Sequence, residues 1–452
     1  MMKLSEVVLA THGELIGEDV EINSVGIDSR SIKQGQLFVA IKGENFDGHD
    51  YLAQSFTGGA AAALVEVHQN TTAVKVKDTR LALGDLAAYW RKKIKAPVVA
   101  ITGSNGKTTV KEMLASILMV AAGSPDKVLA TQGNLNNDLG MPLTLLKARP
   151  DHAYVVLEMG MNHLGEISYL TNLAKPNIAI VNNAGEAHLG ELGSMDAIAK
   201  AKGEIFEGLT NDGIAIINQD DVYADFWKTL SNHHRQITFG LNSNADVTAT
   251  FQLKEMCSEL RLKTQAGEVT FDLPVAGIHN VRNALAASAV ATALNISLKN
   301  IAEGLAGFSG VKGRLQEKIG RSDSVVIDDT YNANPVSMKA AIDVLGARQG
   351  ERVLVMGDMG ELGSDAEHMH AEIGRYARQI GIEKLFAIGQ LSRQAAQAFG
   401  LESKHYESID ALSDDILSLM NAKTTVLVKG SRFMQMERVV EKITKQVNGE
   451  KH

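Results

Sequence analysis

The chain has 452 residues, which at about 150 residues per domain suggests roughly three domains. It carries 45 Lys and Arg against 53 Asp and Glu, a formal charge of −8, with 45% hydrophobic and 22% charged residues. This composition excludes a disordered chain and argues against broad nucleic-acid binding. The single cysteine, Cys257, excludes an intrachain disulfide and a cysteine-based zinc cluster.

The N-terminal apolar patch, 7–10, is bounded by Glu6 and by Thr11-His12 and lacks the apolar core of a signal peptide. Strand-like stretches follow at 25–28 and 37–41, then a short helix at 51–57 ended by Gly58-Gly59, and a strand at 62–67. Asp78-Thr79-Arg80 leads into an apolar-periodic helix at 81–94. The central section sets the runs 98–101, 154–157, 178–181 and 214–217 between helical patterns, the signature of βαβ units and a parallel sheet covered on both faces. Residues 247–253 and 259–262 alternate, and Ala266-Gly267 suits a hairpin turn, so a short antiparallel excursion is expected there. The longest weakly apolar run, 284–296, is too short to span a bilayer and contains Ser288, Thr292 and Asn295. A second α/β unit follows Gly313-Arg314, with strands at 325–328, 353–356, 385–388 and 425–428. The expected fold class is α/β in three domains. Residues 1–80 form a small α/β unit, 81–314 a central P-loop unit with a mostly parallel sheet, and 315–452 a Rossmann-like unit. The protein is expected to be cytoplasmic, with neither a membrane nor a nucleic acid as partner.

The sharpest motif is Thr102-Gly103-Ser104-Asn105-Gly106-Lys107-Thr108-Thr109, between a buried-type strand and a helix. Glycines let backbone N–H groups wrap a polyphosphate, and the helix N-terminus adds a favourable dipole. Lys107 neutralises phosphate charge, and the Thr108 hydroxyl suits Mg²⁺. The strict Walker pattern would place Gly at 101, where this chain has Ile101, so the loop is a Gly-x-x-Gly-Lys-Thr variant. The competing reading is a Gly-rich turn with an exposed lysine.

Glu158 ends one predicted strand, where a carboxylate suits a cation or caps the next helix. His188 lies beyond another strand end, as a metal ligand or an ordinary loop residue. The segment 195–209 reads as one helix, with Ile198, Lys202, Ile205, Phe206 and Leu209 on the inward side and Lys200 on the outward side. A buried ammonium is costly unless paired or chemically changed. Three outcomes stay open for Lys202: a snorkelling or ion-paired stem, a direct phosphate contact, or carbamoylation beside a cation.

The runs 102–109 (TGSNGKTT), 133–146 (GNLNNDLGMPLTLL), 158–167 (EMGMNHLGEI), 182–189 (NNAGEAHL), 201–206 (AKGEIF), 328–335 (DDTYNANP) and 357–363 (GDMGELG) together resemble the Mur ligases, over nearly the whole chain. These are ATP-dependent amide-forming enzymes of peptidoglycan precursor synthesis. The resemblance implies a phosphate loop, Gly103 to Thr109, holding ATP, with Lys107, His188, Lys202 and Arg314 in the catalytic centre. It implies two Mg²⁺ ions at Thr108, Glu158, His188 and Lys202, with Lys202 carbamoylated. Asn280 and Asn283 match adenine-contacting positions, Arg314 a phosphate-contacting arginine, and Asp329 and Tyr331 positions near the ribose. Asp28, Ser29, Arg30, Lys42 and Gly43 resemble a uridine-diphosphate site, and Asn136 and Asn137 residues near the sugar nucleotide.

The branch these motifs resemble most implies UDP-N-acetylmuramoyl-tripeptide and D-alanyl-D-alanine as substrates, and a monomer. The dipeptide site is expected in the C-terminal domain, with an acyl-phosphate intermediate and domain closure about hinges near 80–85 and 310–316. Asn280 and Asn283 also suit a helix border, Arg314 a linker salt bridge, and 357–363 an ordinary strand-to-helix loop. Diaminopimelate-adding members usually carry Asp-Asn-Pro-Arg, which is missing from this sequence, and folylpolyglutamate synthetases lack the 328–335 run. The remaining alternatives are another amino-acid ligase of the family and a nucleotide-dependent switch that makes no bond.

Overall fold

A computed structural model describes residues 1–185, 192–242, 244–255 and 257–445. Its central sheet has six strands, all parallel, in the order Arg235–Phe239, Ile214–Asn218, Ile178–Val181, Val98–Thr102, Tyr154–Glu158, Val128–Ala130. The four predicted runs are its middle strands. Each is buried on both faces, which is why each reads as an unbroken apolar run.

The first sheet is mixed, in the order Glu14–Ile16, Ala73–Lys75, Ala62–Val65, Gln36–Val39, Ser24–Gly26, with only the first pair antiparallel. The expected strand at 25–28 is the shorter Ser24–Gly26, and the apolar patch near the N-terminus is part of a helix, Leu4–Thr11. The expected helix at 81–94 is Thr79–Arg91, started by Asp78, whose side chain accepts from the N–H groups of Arg80 and Leu81. Its apolar stripe (Leu83, Leu86, Trp90) joins one hydrophobic cluster running from Leu4 and Leu64 to Val98, Leu157 and Val181. Trp90 donates to Ala148 O at 3.0 Å, and Arg91 to Ala174 O at 2.7 Å.

The antiparallel excursion is a three-stranded sheet, Thr248–Leu253, Ser258–Thr264 and Gly267–Leu273, with Ala266-Gly267 in its second turn as expected. It packs with helices Lys107–Ala122 and Ile278–Ala293 in a second cluster on the other face of the central sheet.

The last sheet runs Gln316–Ile319, Val325–Asp329, Thr424–Lys429, Glu351–Gly357, Lys384–Ile388, Ser403–Tyr406, parallel except for its first strand. Helices Pro335–Gly346, Ala366–Ile380 and Ser392–Phe399 cover one face, and Ile409–Leu419 and Glu437–Ile443 the other. Among the described residues, no helix is long and apolar enough to cross a membrane.

Candidate active site

Strand Val98–Thr102 delivers the phosphate loop between the ends of two neighbouring parallel strands, where ligands bind in open α/β sheets. Helix Lys107–Ala122 begins at Gly106 with no side chain capping it, so its first N–H groups are left for a ligand. Gly106 has φ +80, and a Cβ there would sit 2.4 Å from Asn283 Oδ1 and 2.7 Å from Asn182 Nδ2. The packing of the loop therefore demands glycine at that position.

An asparagine lattice holds the loop. Asn105 N donates to Asn183 Oδ1 at 2.9 Å, and Asn105 O accepts from Asn182 Nδ2 at 2.9 Å and Asn183 Nδ2 at 3.1 Å. Asn182 Nδ2 also donates to Asn283 Oδ1 at 3.2 Å. Ser104 Oγ donates to Gly185 O and accepts from Gly185 N. From the last α/β unit, Asn334 Nδ2 donates to Asn105 Oδ1 at 2.8 Å.

Lys107 folds back over the loop, its Nζ 2.7 Å from Gly103 O. Burial lowers its pKa; Glu158 and Glu361 oppose that shift, and Arg314 adds to it. Thr108 Oγ1 donates to Glu158 Oε2 at 2.9 Å, and Asn136 Nδ2 donates to Glu158 Oε1 at 2.8 Å. Glu158 is 2% exposed at its strand end, so a buried carboxylate stands beside the Thr108 hydroxyl. Arg314 Nη2 donates to that hydroxyl at 3.0 Å, and its guanidinium lies 4.2 Å from the Tyr331 ring centre. Arg314 Nε is buried with no hydrogen-bond partner among the described residues.

The expected helix 195–209 is broken. The α-helix is Met195–Gly203, capped by Ser194, and Glu204–Gly208 continues it as a 3-10 turn. Glu204 accepts from Gly165 N and Ser168 N, which turns the chain into that tighter segment. The inward reading of Lys202 agrees with its position: the residue is 1% exposed, whereas Lys200 is exposed. Lys202 Nζ makes no hydrogen bond or ion pair seen among the described residues. Burial first, and the Lys107 charge second, push its pKa well below the usual range, toward a neutral amine. His188 lies outside the described residues.

The other predicted positions fall on several elements. Asn280 donates to Ala276 O at 2.8 Å, and with Asn283 opens helix Ile278–Ala293. Asp329 accepts from Leu315 N at 3.1 Å and from Lys429 Nζ at 2.6 Å, a buried pair. Ser29, Arg30, Lys42 and Gly43 follow the adjacent parallel strands Ser24–Gly26 and Gln36–Val39 of the first sheet. There Asp28 binds Arg30 at 2.9 Å and Ser29 Oγ donates to Gln54 Oε1 at 3.3 Å. Asn137 Oδ1 accepts from Gly140 N at 2.9 Å, while Asn136 reaches Glu158.

Sequence reasoning missed Lys429 as the partner of Asp329, and the side-chain contact from Asn334 to the phosphate loop. Asn334 had a local signal, an Asn directly before a Pro at a helix start. It does cap helix Pro335–Gly346, through Ser337 N.

This arrangement can hold a polyphosphate on backbone N–H groups, with Lys107 and Arg314 as cations and Glu158 and Thr108 as hard oxygen donors. The chain matches family models for the Mur ligase family catalytic domain over residues 21–91, the Mur ligase middle domain over 101–291, and the Mur ligase glutamate ligase domain over 313–432. It is 42% identical to the UDP-N-acetylmuramoyl-tripeptide–D-alanyl-D-alanine ligase of Escherichia coli (strain K12), covering 99% of this chain and 98% of that one. It is 35% identical to the enzyme of the same name from Bacillus subtilis (strain 168), covering 97% and 96%. Similar solved structures include MurF from Acinetobacter baumannii, with TM-score 0.91, 40% identity and 97% of each chain covered. Another is the MurF ligase of Thermotoga maritima in complex with ADP, with TM-score 0.83, 26% identity, and 94% and 98% covered. On motif, fold and coverage alike, the chain belongs to the Mur ligase family.

Proposed function

We propose that the chain joins D-alanyl-D-alanine to UDP-N-acetylmuramoyl-tripeptide, converting ATP to ADP and phosphate. The observation that carries this reading is the phosphate loop set against the buried Glu158–Thr108 pair and Arg314. The relatives bearing that enzyme's name match along nearly their whole length and support the choice of substrates.

A carboxylate is a poor acylating agent. In this reading its oxygen attacks the γ-phosphorus, the bond to the ADP oxygen breaks, and an acyl phosphate forms. The dipeptide's free amine then attacks the acyl carbon. The C–N bond forms, the C–O bond to phosphate breaks, the nitrogen gives up one proton, which the departing phosphate or solvent takes, and inorganic phosphate leaves. Positioning and charge neutralisation carry most of such a phosphoryl transfer. Loop N–H groups from Gly103 to Thr109 and the Lys107 ammonium bind the phosphates, and Arg314 adds a second cation. Asn280 and Asn283 flank the adenine, and Asp329 and Tyr331 the ribose. Ser29, Arg30, Lys42 and Gly43 hold the uridine diphosphate, with Asn136 and Asn137 near the sugar nucleotide.

The donor set fits magnesium: hard oxygens from Glu158 and Thr108 converge beside the loop, and Lys202 is buried with no partner among the described residues and favours the neutral amine to which CO₂ adds. Thr108 and Glu158 would hold one ion, and His188 with a Lys202 carbamate a second. When bound, these ions neutralise charge on the phosphates and the attacking carboxylate. The acting unit is a single cytoplasmic chain whose last α/β unit closes over the nucleotide about 310–316 and keeps water from the acyl phosphate.

The test is phosphate release from ATP with and without each substrate. Strict dependence on both UDP-N-acetylmuramoyl-tripeptide and D-alanyl-D-alanine supports the ligase. Hydrolysis indifferent to both would make the chain a nucleotide switch instead.

A further inference from the structure

Besides Lys202, a second lysine of the central unit is fully buried, and the reaction as read gives it no part. Lys111 lies one turn into helix Lys107–Ala122, on the same face as Lys107 and Thr108, and is 0% exposed. Its Nζ meets Glu112 Oε1 at 2.6 Å and donates to Thr131 O. A buried ion pair stabilises a fold weakly, because a well-packed apolar side chain of similar volume often serves as well. What an apolar residue could not supply is the bond to the Thr131 carbonyl.

That bond changes the course of the chain beside Glu158. Edge strand Val128–Ala130 runs parallel to Tyr154–Glu158, with Ala130 opposite Val156. Thr131 N donates to Val156 O at 3.0 Å, the last regular rung. In a parallel ladder the next rung would be the Glu158 N–H donating to Thr131 O. Here that N–H donates to Thr131 Oγ1 at 2.9 Å instead, and the carbonyl accepts from Lys111. The edge strand therefore stops at Ala130, and the chain crosses toward the end of the Glu158 strand. There Asn136 Nδ2 donates to Glu158 Oε1 at 2.8 Å, and Asn136 O accepts from Gly160 N at 2.8 Å. One segment thus holds both the backbone and the carboxylate of Glu158, and Lys111 holds the first residue of that segment. Thr131 is buried, so bulk water cannot replace a partner it loses.

We propose that Lys111 is a positioning residue for the cation site: it draws the Thr131 carbonyl out of the sheet ladder and so places the segment 131–136, which aims the Glu158 carboxylate at Thr108. Lys111 acts through Thr131 and Asn136. Helix Lys107–Ala122 then carries the phosphate-binding residues and also the clamp on the acid beside them, which keeps the two in fixed register. Residues that orient a metal ligand in this way commonly govern metal affinity nearly as strongly as the ligand itself.

The proposal rests on the reading of Glu158 as a magnesium donor, and the experiment separates the two. Calorimetry of the full chain measures ADP affinity in EDTA and in magnesium chloride, and the ratio gives the factor by which magnesium strengthens binding. Glu158→Gln should abolish that factor. Lys111→Met, which keeps the apolar stem, should reduce it about tenfold or abolish it. Thr131→Val breaks the same chain one link further on and should do likewise, which keeps the test decisive should Lys111→Met not fold. Thr131→Ser restores the hydroxyl and should restore the factor. ADP affinity in EDTA should stay within about twofold of wild type in all of them, a result that also reports folding. The double variant Lys111→Met/Thr131→Val should lose no more than the worse single one, because both act through one segment. A full magnesium factor in Lys111→Met or Thr131→Val overturns the proposal, as do a loss in Thr131→Ser equal to that in Thr131→Val, additive losses in the double variant, or an equal loss of affinity in EDTA. A wild-type chain whose ADP binding ignores magnesium, or a Glu158→Gln chain that keeps the factor, would instead overturn the magnesium reading and take the role of Lys111 with it.

Discussion

Gly106→Ala tests whether the shape of the phosphate loop is what binds nucleotide. At φ +80 an L side chain costs about 1–2 kcal/mol of backbone strain. The new methyl would also sit 2.4 Å from Asn283 Oδ1 and 2.7 Å from Asn182 Nδ2, so the hydrogen bond between those amides must break. That adds about 1 kcal/mol. Without nucleotide the loop can relax away from the clash. A bound di- or triphosphate requires the tight shape again, so the cost appears mainly in affinity. About 2–3 kcal/mol corresponds to roughly 30- to 150-fold weaker ADP binding. Calorimetric titration with ADP, read beside the melting temperature, measures it. Gly123→Ala is the control: its φ is +72, but nothing lies within 4 Å of its Cβ, so it should cost about 1 kcal/mol of stability and no affinity. ADP affinity within threefold of wild type in Gly106→Ala would refute the argument, as would an equal loss in Gly123→Ala.

Lys202→Ala should lose most turnover and regain part of it with short carboxylic acids, and carbon-13 NMR with labelled bicarbonate should show a carbamate signal in the wild-type chain that the variant lacks. Normal turnover in the variant would end the carbamate assignment. Thr108→Val keeps the side-chain shape but removes the hydroxyl between Glu158 and Arg314. Magnesium should then no longer strengthen ADP binding, and a magnesium increment equal to that of the wild type would remove Thr108 from the cation site. Burial pushes the His279 imidazole down to about 4 from an ordinary 6.5, so between those values the unfolded chain binds a proton that the folded chain does not. Stability should fall as pH drops from 6.5 toward 4, and urea titrations of His279→Asn should show a shallower fall.

What the sequence disclosed follows from where the information lies. The doubly buried strands announced themselves as apolar runs, and the phosphate loop as a local motif between strand and helix. Lys202 was legible because helical spacing puts it among Ile198, Ile205 and Phe206, all buried. The missed strands are mostly short edge strands, such as Gln316–Ile319 and Ser403–Tyr406, whose mixed polar residues show no run. The straight helix expected through Leu209 broke because Glu204 binds two N–H groups nearly 40 positions earlier in the chain. The pair Lys429–Asp329 and the contact Asn334–Asn105 span 100 and 229 positions, and no local pattern encodes such pairings.

The hydrophobic cluster that runs unbroken from Leu4 through Leu83 and Trp90 to Val181 has a thermodynamic consequence. Among the described residues one apolar cluster takes side chains from both the first sheet and the central sheet, so heat or denaturant should not loosen one without the other. The last sheet encloses its oil in two clusters of its own. The first sheet and the central sheet thus form one cooperative block and the last sheet another, and a scanning calorimeter should register the first and central sheets melting as one.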